Sequence, residues 1–168
     1  EPDTFLAAKA LSEVAKKENA QFVLTGKQAV DDDQAATPGM VAEFLGFPSV
    51  TNVTKCEIAA DKASLKAERD ADSGTKLVLQ VPLPALLSVD KGINTPRYAS
   101  LPGIMKAKKK EIKAYTLADL GLGSESNKTS DSDYQLPAER KAGIKIAGDA
   151  AAQVKELVKK LREEAKVI

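Results

Sequence analysis

The feature that most constrains the fold is a short β-prone run, residues 21–25 (QFVLT), that stops at Gly26 and follows an amphipathic helix. Asp3 or Thr4 is a suitable cap for this helix, because their side-chain oxygens accept from free N–H groups. The apolar residues at helical spacing are Leu6, Ala7, Leu11, Val14 and Ala15. A helix that leads into a buried strand ending in glycine is typical of an α/β protein with a parallel sheet.

The segment after this strand is a candidate ligand site. Thr37 and Pro38 predict a helix start, with a hydroxyl cap followed by proline, and Gly46 ends that helix. Ligands of open α/β sheets bind beyond the carboxyl ends of strands, where helix N–H groups favour a phosphate. The segment has no glycine-rich fingerprint, and three aspartates would repel a phosphate that they faced. An acidic loop facing solvent is therefore the alternative.

From Thr51 the pattern changes to a period of two, which predicts strands. Their markers are Val53, Cys56 and Ile58, then Leu65, Ala67 and Arg69, then residues 77–81. Turns at 61–62 and 72–74 make these strands a small antiparallel meander. A buried strand is expected at 85–89, directly before the most unusual segment of the chain.

That segment is residues 94–110, NTPRYASLPGIMKAKKK, which we call the recognition loop. Proline disfavours helical geometry in the residue before it, so Thr95 and Leu101 are expected to be extended. Counted to Lys113, Arg97 and five lysines stand against one acid, Glu111, for a net charge of +5. An apolar residue beside such a block suits docking on an acidic protein surface. The alternative is a lysine-rich turn whose Leu101 folds back onto its own domain.

Composition excludes several classes of function. The chain of 168 residues has a net charge of only +1, four Phe, three Tyr and no Trp, which argues against nucleic-acid binding. It has no histidine, which removes Ser-His and Cys-His catalysis. Its single cysteine, Cys56, suggests a reducing compartment. No run is long enough to cross a bilayer.

The C-terminal part is predicted to be an arm. A capping box at 116–119 gives one helical turn, which Gly121 closes. We therefore divide the chain into an α/β domain (1–121) that contains the recognition loop, a linker (122–140) and a strand-helix arm (141–168). The arm has a strand at 142–147 and a helix with an apolar face. This face packs either on the chain's own domain or on a partner protein. That face carries Val154, Leu157, Val158 and Leu161.

Two segments carry a resemblance to a known family. PRYASLPGIMKAKKK resembles the partner-recognition loop of electron-transfer flavoprotein beta subunits, and GKQAVDDD is similar to their nucleotide-binding loop. The resemblance implies a Rossmann-like fold of the adenine nucleotide alpha hydrolase-like kind: a mostly parallel sheet, a small antiparallel meander and a C-terminal helical extension. It begins partway through the family pattern, so the resemblance implies that 1–121 is an incomplete nucleotide-binding domain without the family's N-terminal strands. It also implies that the arm packs on the alpha subunit.

For the recognition loop, the resemblance implies that Leu101 is the anchor that inserts into acyl-CoA dehydrogenases. The further docking residues are Tyr98, Pro102, Ile104 and Met105. Lys106 and Lys109 match lysines that are methylated in some members. Asp70 matches a residue that orients the mobile flavin domain, and an ordinary exposed charge on a strand is the alternative reading.

For the other loop, the resemblance implies bound AMP. The matching residues are Gly26, Lys27, Gln28, Ala29, Val30, Asp31, Asp32, Asp33, Gln34, Ala35, Ala36 and Thr37. Electron-bifurcating relatives, which hold a second FAD here, usually have glycine at the Asp32 position. Ala35 and Ala36 depart from the Asn-Gln of many AMP-binding members and remove two side-chain donors.

As a whole, the resemblance implies an electron carrier and not an enzyme, with neither catalytic nor metal-binding residues in this chain. The alpha subunit would hold most of the FAD. Electrons would come from acyl-CoA and related dehydrogenases in fatty acid oxidation and leave to a membrane-bound quinone oxidoreductase. The compartment would be the bacterial cytoplasm or the mitochondrial matrix. Two alternatives stay open: a stand-alone adenine-nucleotide sensor domain, and a bifurcating relative.

Overall fold

The computed structural model describes residues 2–140 and 142–168, in two compact units that divide after Ser130. The first unit contains α1 (Thr4–Lys17), β1 (Phe22–Gly26), α2 (Thr37–Leu45), β2 (Ser49–Ile58), β3 (Ser64–Asp70), a 3₁₀ turn (Asp72–Gly74), β4 (Lys76–Pro82), β5 (Ala85–Val89) and α3 (Leu101–Lys108). The second contains α4 (Ala150–Lys159), which continues as a π-helical turn, Lys160–Glu164. The chain is therefore an α/β protein, as predicted.

The five strands form one mixed sheet in the order β1-β5-β2-β3-β4. Strand β5 pairs in parallel with β1 and with β2, whereas β3 pairs antiparallel with β2 and with β4. The predicted parallel part and the predicted meander are both confirmed. Strand β5 lies between β1 and β2, and its first four residues are buried, as is typical of a strand covered on both faces. The Rossmann-like assignment stays a prediction.

The core lies on both faces of this sheet. Leu86 faces α1 and α2 and packs with Ala8, Val41 and Ala42. Its neighbour Leu87 faces the opposite side, as alternation along a strand requires. On that side lie Val50, Val53, Leu65, Ala67, Val81 and Ala85. The parallel strands β1 and β5 are thus fixed side by side, and the loops of interest follow their carboxyl ends.

Helix α1 begins as predicted, and its buried face matches the predicted stripe only in part. The carboxylate of Asp3 accepts from the Leu6 N–H at 2.8 Å and caps the helix. The buried residues are Leu6, Ala8 and Ser12, whereas Leu11 of the predicted stripe is 51% exposed. Helix α1 packs on α2 through Ala8 and through an edge-to-face contact between the rings of Phe5 and Phe44.

The C-terminal predictions are partly wrong. Residues 142–147, all described, form no strand, and Lys141 lies outside the described residues. A strand needs a hydrogen-bonded neighbour, and the second unit offers none among its described residues. The predicted helix is confirmed as α4, capped by Asp149. The start of the predicted linker is held in the first unit, where Leu122 is buried and the Asp3 carboxylate accepts from the Lys128 N–H.

Candidate functional site

The nucleotide loop, residues 26–37, joins the carboxyl end of β1 to the start of α2. Its polar side chains bond mainly within the loop. Gln28 Nε2 donates to Asp33 Oδ1 at 2.7 Å, and the Gln34 N–H donates to Asp32 Oδ1 at 3.2 Å. The carboxylates of Asp32 and Asp33 are therefore engaged by donors of the loop itself, and they define its shape.

Two backbone positions reinforce this shape. Asp33 and Ala35 adopt left-handed geometry with φ of 52° and 53°. Such geometry is uncommon for alanine and persists where surrounding contacts enforce it. One such contact is external, because Thr4 Oγ1 donates to Gln34 Oε1 at 2.7 Å and ties the loop to α1.

The first turn of α2 differs from the prediction in its cap. Ala36 occupies the N-cap position and Thr37 is already helical, so the predicted hydroxyl cap is wrong. The predicted proline in the first turn is confirmed. No side chain among the described residues caps this helix end. An uncapped helix start of this kind leaves backbone N–H groups without a side-chain acceptor, and such groups favour an anion.

Sequence reasoning missed a contact at the carboxyl edge of the sheet. Lys27 Nζ, the only cation of the nucleotide loop, donates to Asp90 Oδ2 at 3.1 Å. The Lys91 N–H and the Lys27 ammonium lower the pKa of Asp90 below its ordinary value. Asp90 could have been found from its place directly after β5, since neighbouring parallel strands bring their carboxyl ends to one edge.

A second overlooked residue is Thr25, the last residue before Gly26. Its hydroxyl is buried and has no hydrogen-bond partner among the described residues. It pairs in register with Ser88 of β5, whose hydroxyl accepts from the Asn52 N–H at 3.3 Å. Two hydroxyl side chains thus lie next to each other on paired parallel strands, at the base of the nucleotide loop.

The recognition loop contains a helix, α3, that was not predicted. Leu101 is its first residue, so the expected extended geometry is wrong. The Ser100 hydroxyl caps the helix by accepting from the Gly103 N–H at 3.3 Å. Pro102 lies in the first turn, where its missing N–H costs nothing and its fixed φ is helical. Here the cap outweighs the restriction that proline places on the residue before it.

Helix α3 directs an apolar stripe outward. Leu101, Ile104 and Met105 lie on one face at helical spacing and are 74%, 42% and 51% exposed. Tyr98, just before the helix, is fully exposed, and Lys106 and Lys109 lie at its exposed end. The alternative in which Leu101 folds back onto its own domain is therefore wrong.

Asp70 lies at the end of β3, on the outer face of the meander. Lys76 Nζ lies 3.8 Å from Asp70 Oδ1 and 2.7 Å from Glu68 Oε1. The Asp70 side chain is 61% exposed, which leaves most of it accessible. Within the described residues, no cluster of three or more His, Cys, Asp or Glu is placed to bind a metal ion, and no helix has the length and apolarity of a membrane span.

Comparison with known proteins identifies the family. A family model described as "Electron transfer flavoprotein domain" matches residues 1–120. The chain belongs to this family. A beta subunit of an electron transfer flavoprotein from Bacillus subtilis (strain 168) is 39% identical over 170 residues. The Homo sapiens beta subunit is 42% identical over 152 residues, and a mitochondrial beta subunit from Arabidopsis thaliana is 40% identical over 161 residues.

These relatives are longer than the chain. The alignments cover 100%, 89% and 96% of this chain in the order Bacillus, human and Arabidopsis. They cover 65%, 58% and 61% of the relatives themselves. The chain thus corresponds to about three fifths of an electron transfer flavoprotein beta subunit.

Proposed function

We propose that the chain acts as part of an electron-transfer flavoprotein beta subunit, an electron carrier subunit and not an enzyme. The observation that carries this proposal is the exposed apolar face of α3 beside its lysines. Leu101, at 74% exposure, is a large apolar residue that its own unit leaves uncovered. Apolar residues surrounded by positive charge suit a partner with an apolar pocket in an acidic surface. Acyl-CoA and related dehydrogenases are the proposed partners.

The nucleotide loop is proposed to hold AMP. Its backbone shape is supported by the Gln28 and Gln34 contacts, and the start of α2 offers N–H donors without a side-chain cap. Residues 26–36 would surround the nucleotide, with the phosphate at Thr37. Ala35 and Ala36 contribute no side-chain donor, so backbone groups would carry the phosphate contact. Because Asp32 stands where bifurcating relatives have glycine, AMP is favoured over a second FAD.

The remaining assignments follow from membership in the family. The alpha subunit would complete a heterodimer and hold most of the FAD, which supplies the one-electron chemistry. Asp70 would orient the flavin domain, α4 would pack on the alpha subunit, and Lys106 and Lys109 would be methylation candidates. A quinone oxidoreductase would receive the electrons, in the bacterial cytoplasm or the mitochondrial matrix.

The test is purification of the complete beta subunit together with its alpha subunit, followed by absorbance and nucleotide analysis. We expect a yellow heterodimer with one FAD and one AMP. Two FAD per heterodimer would instead make the protein a bifurcating relative. A colourless protein that holds only a nucleotide would overturn the carrier assignment in favour of a sensor.

A further inference from the structure

The recognition loop belongs to a longer exposed stretch whose position depends on its ends. Every residue from 94 to 119 is exposed, and none contributes to the core. Before it, Ile93 packs against the core, and after it Leu120 is 9% exposed. Since α3 buries no side chain of its own, packing along its length does not fix where it is presented.

A polar contact holds the entrance to this stretch. Lys27 Nζ donates to Asp90 Oδ2 at 3.1 Å, and the Asp90 N–H donates to the Val53 carbonyl at 3.0 Å. The side chains of Lys27 and Asp90 are 37% and 35% exposed. Because Lys27 belongs to the nucleotide loop, this ion pair joins that loop to the segment that leads into α3.

A second set of contacts holds the C-terminal end of the exposed stretch. Lys113 Nζ and the Tyr115 hydroxyl both donate to Glu18 Oε1, at 2.9 and 3.3 Å. The Lys17 ammonium lies 5.5 Å from the centre of the Tyr115 ring, within cation–π range. The neighbouring Lys113 ammonium lowers the pKa of Glu18 below its ordinary value.

Glu18 is in an unusual place for a carboxylate. It is the C-cap residue of α1, where the helix dipole is negative and a negative charge is unfavourable. Its pairing with Lys113 offsets that unfavourable position. A residue chosen for helix stability alone would be neutral or basic, so Glu18 is better explained by the contact that it makes with the stretch beyond α3.

We propose that the ion pairs Lys27–Asp90 and Lys113–Glu18 are positioning elements that set where α3 is presented to a docking partner. This inference rests on the proposed function. A segment held at both ends loses less conformational freedom on docking, so binding is tighter than for a free segment. Through Lys27, the entrance pair also makes the nucleotide loop part of the support of the docking surface.

The experiment uses the heterodimer of the complete beta subunit with its alpha subunit and measures flavin reduction by a reduced acyl-CoA dehydrogenase. Both pairs are partly exposed, so Glu18→Gln and Asp90→Asn are each expected to raise the KM for the dehydrogenase about two- to five-fold. The kcat should stay unchanged, because neither residue belongs to the docking face. The double variant Glu18→Lys with Lys113→Glu forms the ion pair again with the charges exchanged. Its KM should therefore return most of the way to the wild-type value.

The matched control is Glu13→Gln. Lys16 Nζ donates to Glu13 Oε1 at 2.7 Å, so this ion pair joins two residues of α1. Amide hydrogen exchange of residues 94–112 is a second measurement that needs no dehydrogenase. We expect faster exchange in Glu18→Gln and wild-type exchange in Glu13→Gln.

The outcomes separate the two proposals. A wild-type heterodimer that accepts no electrons from any acyl-CoA dehydrogenase would overturn the proposed function, while hydrogen exchange would still decide whether the pairs hold the stretch. Unchanged KM and unchanged exchange in Glu18→Gln and Asp90→Asn would overturn the positioning role. An equal effect of Glu13→Gln would do the same, because it would reveal a general response to lost surface charge.

Discussion

The nucleotide loop and helix α3 are both short, charged and exposed, but they use their side chains in opposite ways. In the loop, Gln28 and Asp33 bond to each other, and Gln34 bonds to Thr4 of α1. In α3, the Ser100 cap is local, and the apolar stripe makes no contact that buries it. The polar side chains of one segment are used in hydrogen bonds that hold its shape, and the other segment leaves its apolar side chains uncovered.

This difference indicates how each segment would bind. A loop with a fixed backbone presents preorganised donors to a small ligand and loses little entropy when the ligand binds. An amphipathic helix with an uncovered face gains most from burying that face against a partner. Changes in α3 should therefore act on partner binding through lost contacts, whereas changes in the loop that leave the Lys27–Asp90 pair intact should act on nucleotide affinity through lost shape.

The largest effect is expected for Leu101→Ala in the heterodimer. Removal of a central anchor typically costs about 2 kcal/mol or more, so the KM for the dehydrogenase should rise about thirty-fold. FAD and nucleotide content should be unchanged, because Leu101 supports no fold contact. Steady-state flavin reduction with increasing dehydrogenase concentration gives the KM.

The control for this variant is Ile112→Ala. Ile112 is also apolar and is 91% exposed, but it lies beyond the recognition loop. We expect its KM to stay near the wild-type value. If both variants weaken docking equally, Leu101 is not a localised anchor and α3 has no special role. Normal electron uptake by Leu101→Ala would contradict the docking assignment itself.

A smaller effect is expected for Gln28→Ala, which tests the loop. The variant leaves Asp33 in left-handed geometry without its side-chain donor. The net loss is about 1 kcal/mol, which corresponds to about five-fold weaker AMP binding. Isothermal titration of AMP into nucleotide-stripped heterodimer measures the affinity for AMP.

Gln80→Ala is the matched control for the loop variant. Gln80 also donates from its side chain, to Ser64 Oγ at 3.4 Å, but it lies on the meander. Its AMP affinity should equal that of the wild type. A Gln28→Ala variant that binds AMP normally but docks poorly would contradict the proposal that the loop sets nucleotide affinity and α3 sets partner binding.

The parts of the fold that sequence predicted are those set by local pattern. Alternating apolar residues located β3, and continuous apolar residues located the buried strand β5. The cap at Asp3 and the left-handed glycine at Gly46 fixed two helix ends, because both signals act within one turn.

The errors arose where two local rules competed or where tertiary contacts decided. At Leu101 the serine cap prevailed over the effect of the following proline. In α1, Ala8 is buried against α2 whereas Leu11 of the predicted stripe is 51% exposed, a difference that depends on tertiary packing. The Lys27–Asp90 pair joins residues 63 positions apart, so only the sheet order brings them together.

The smallest effect is expected for the double variant Lys106→Gln and Lys109→Gln, which separates charge from apolar contact in α3. Surface charges around an anchor act mainly on the association rate, so we expect it to fall about two- to five-fold at low salt. The difference should shrink as salt increases, since screening removes the same attraction. The measurement is stopped-flow flavin reduction at several ionic strengths.

The control is the double variant Lys62→Gln and Lys66→Gln, which removes the same charge from exposed positions on the meander and should leave the association rate unchanged. An equal loss in both pairs would mean that net charge, and not the lysines of α3, guides the partner.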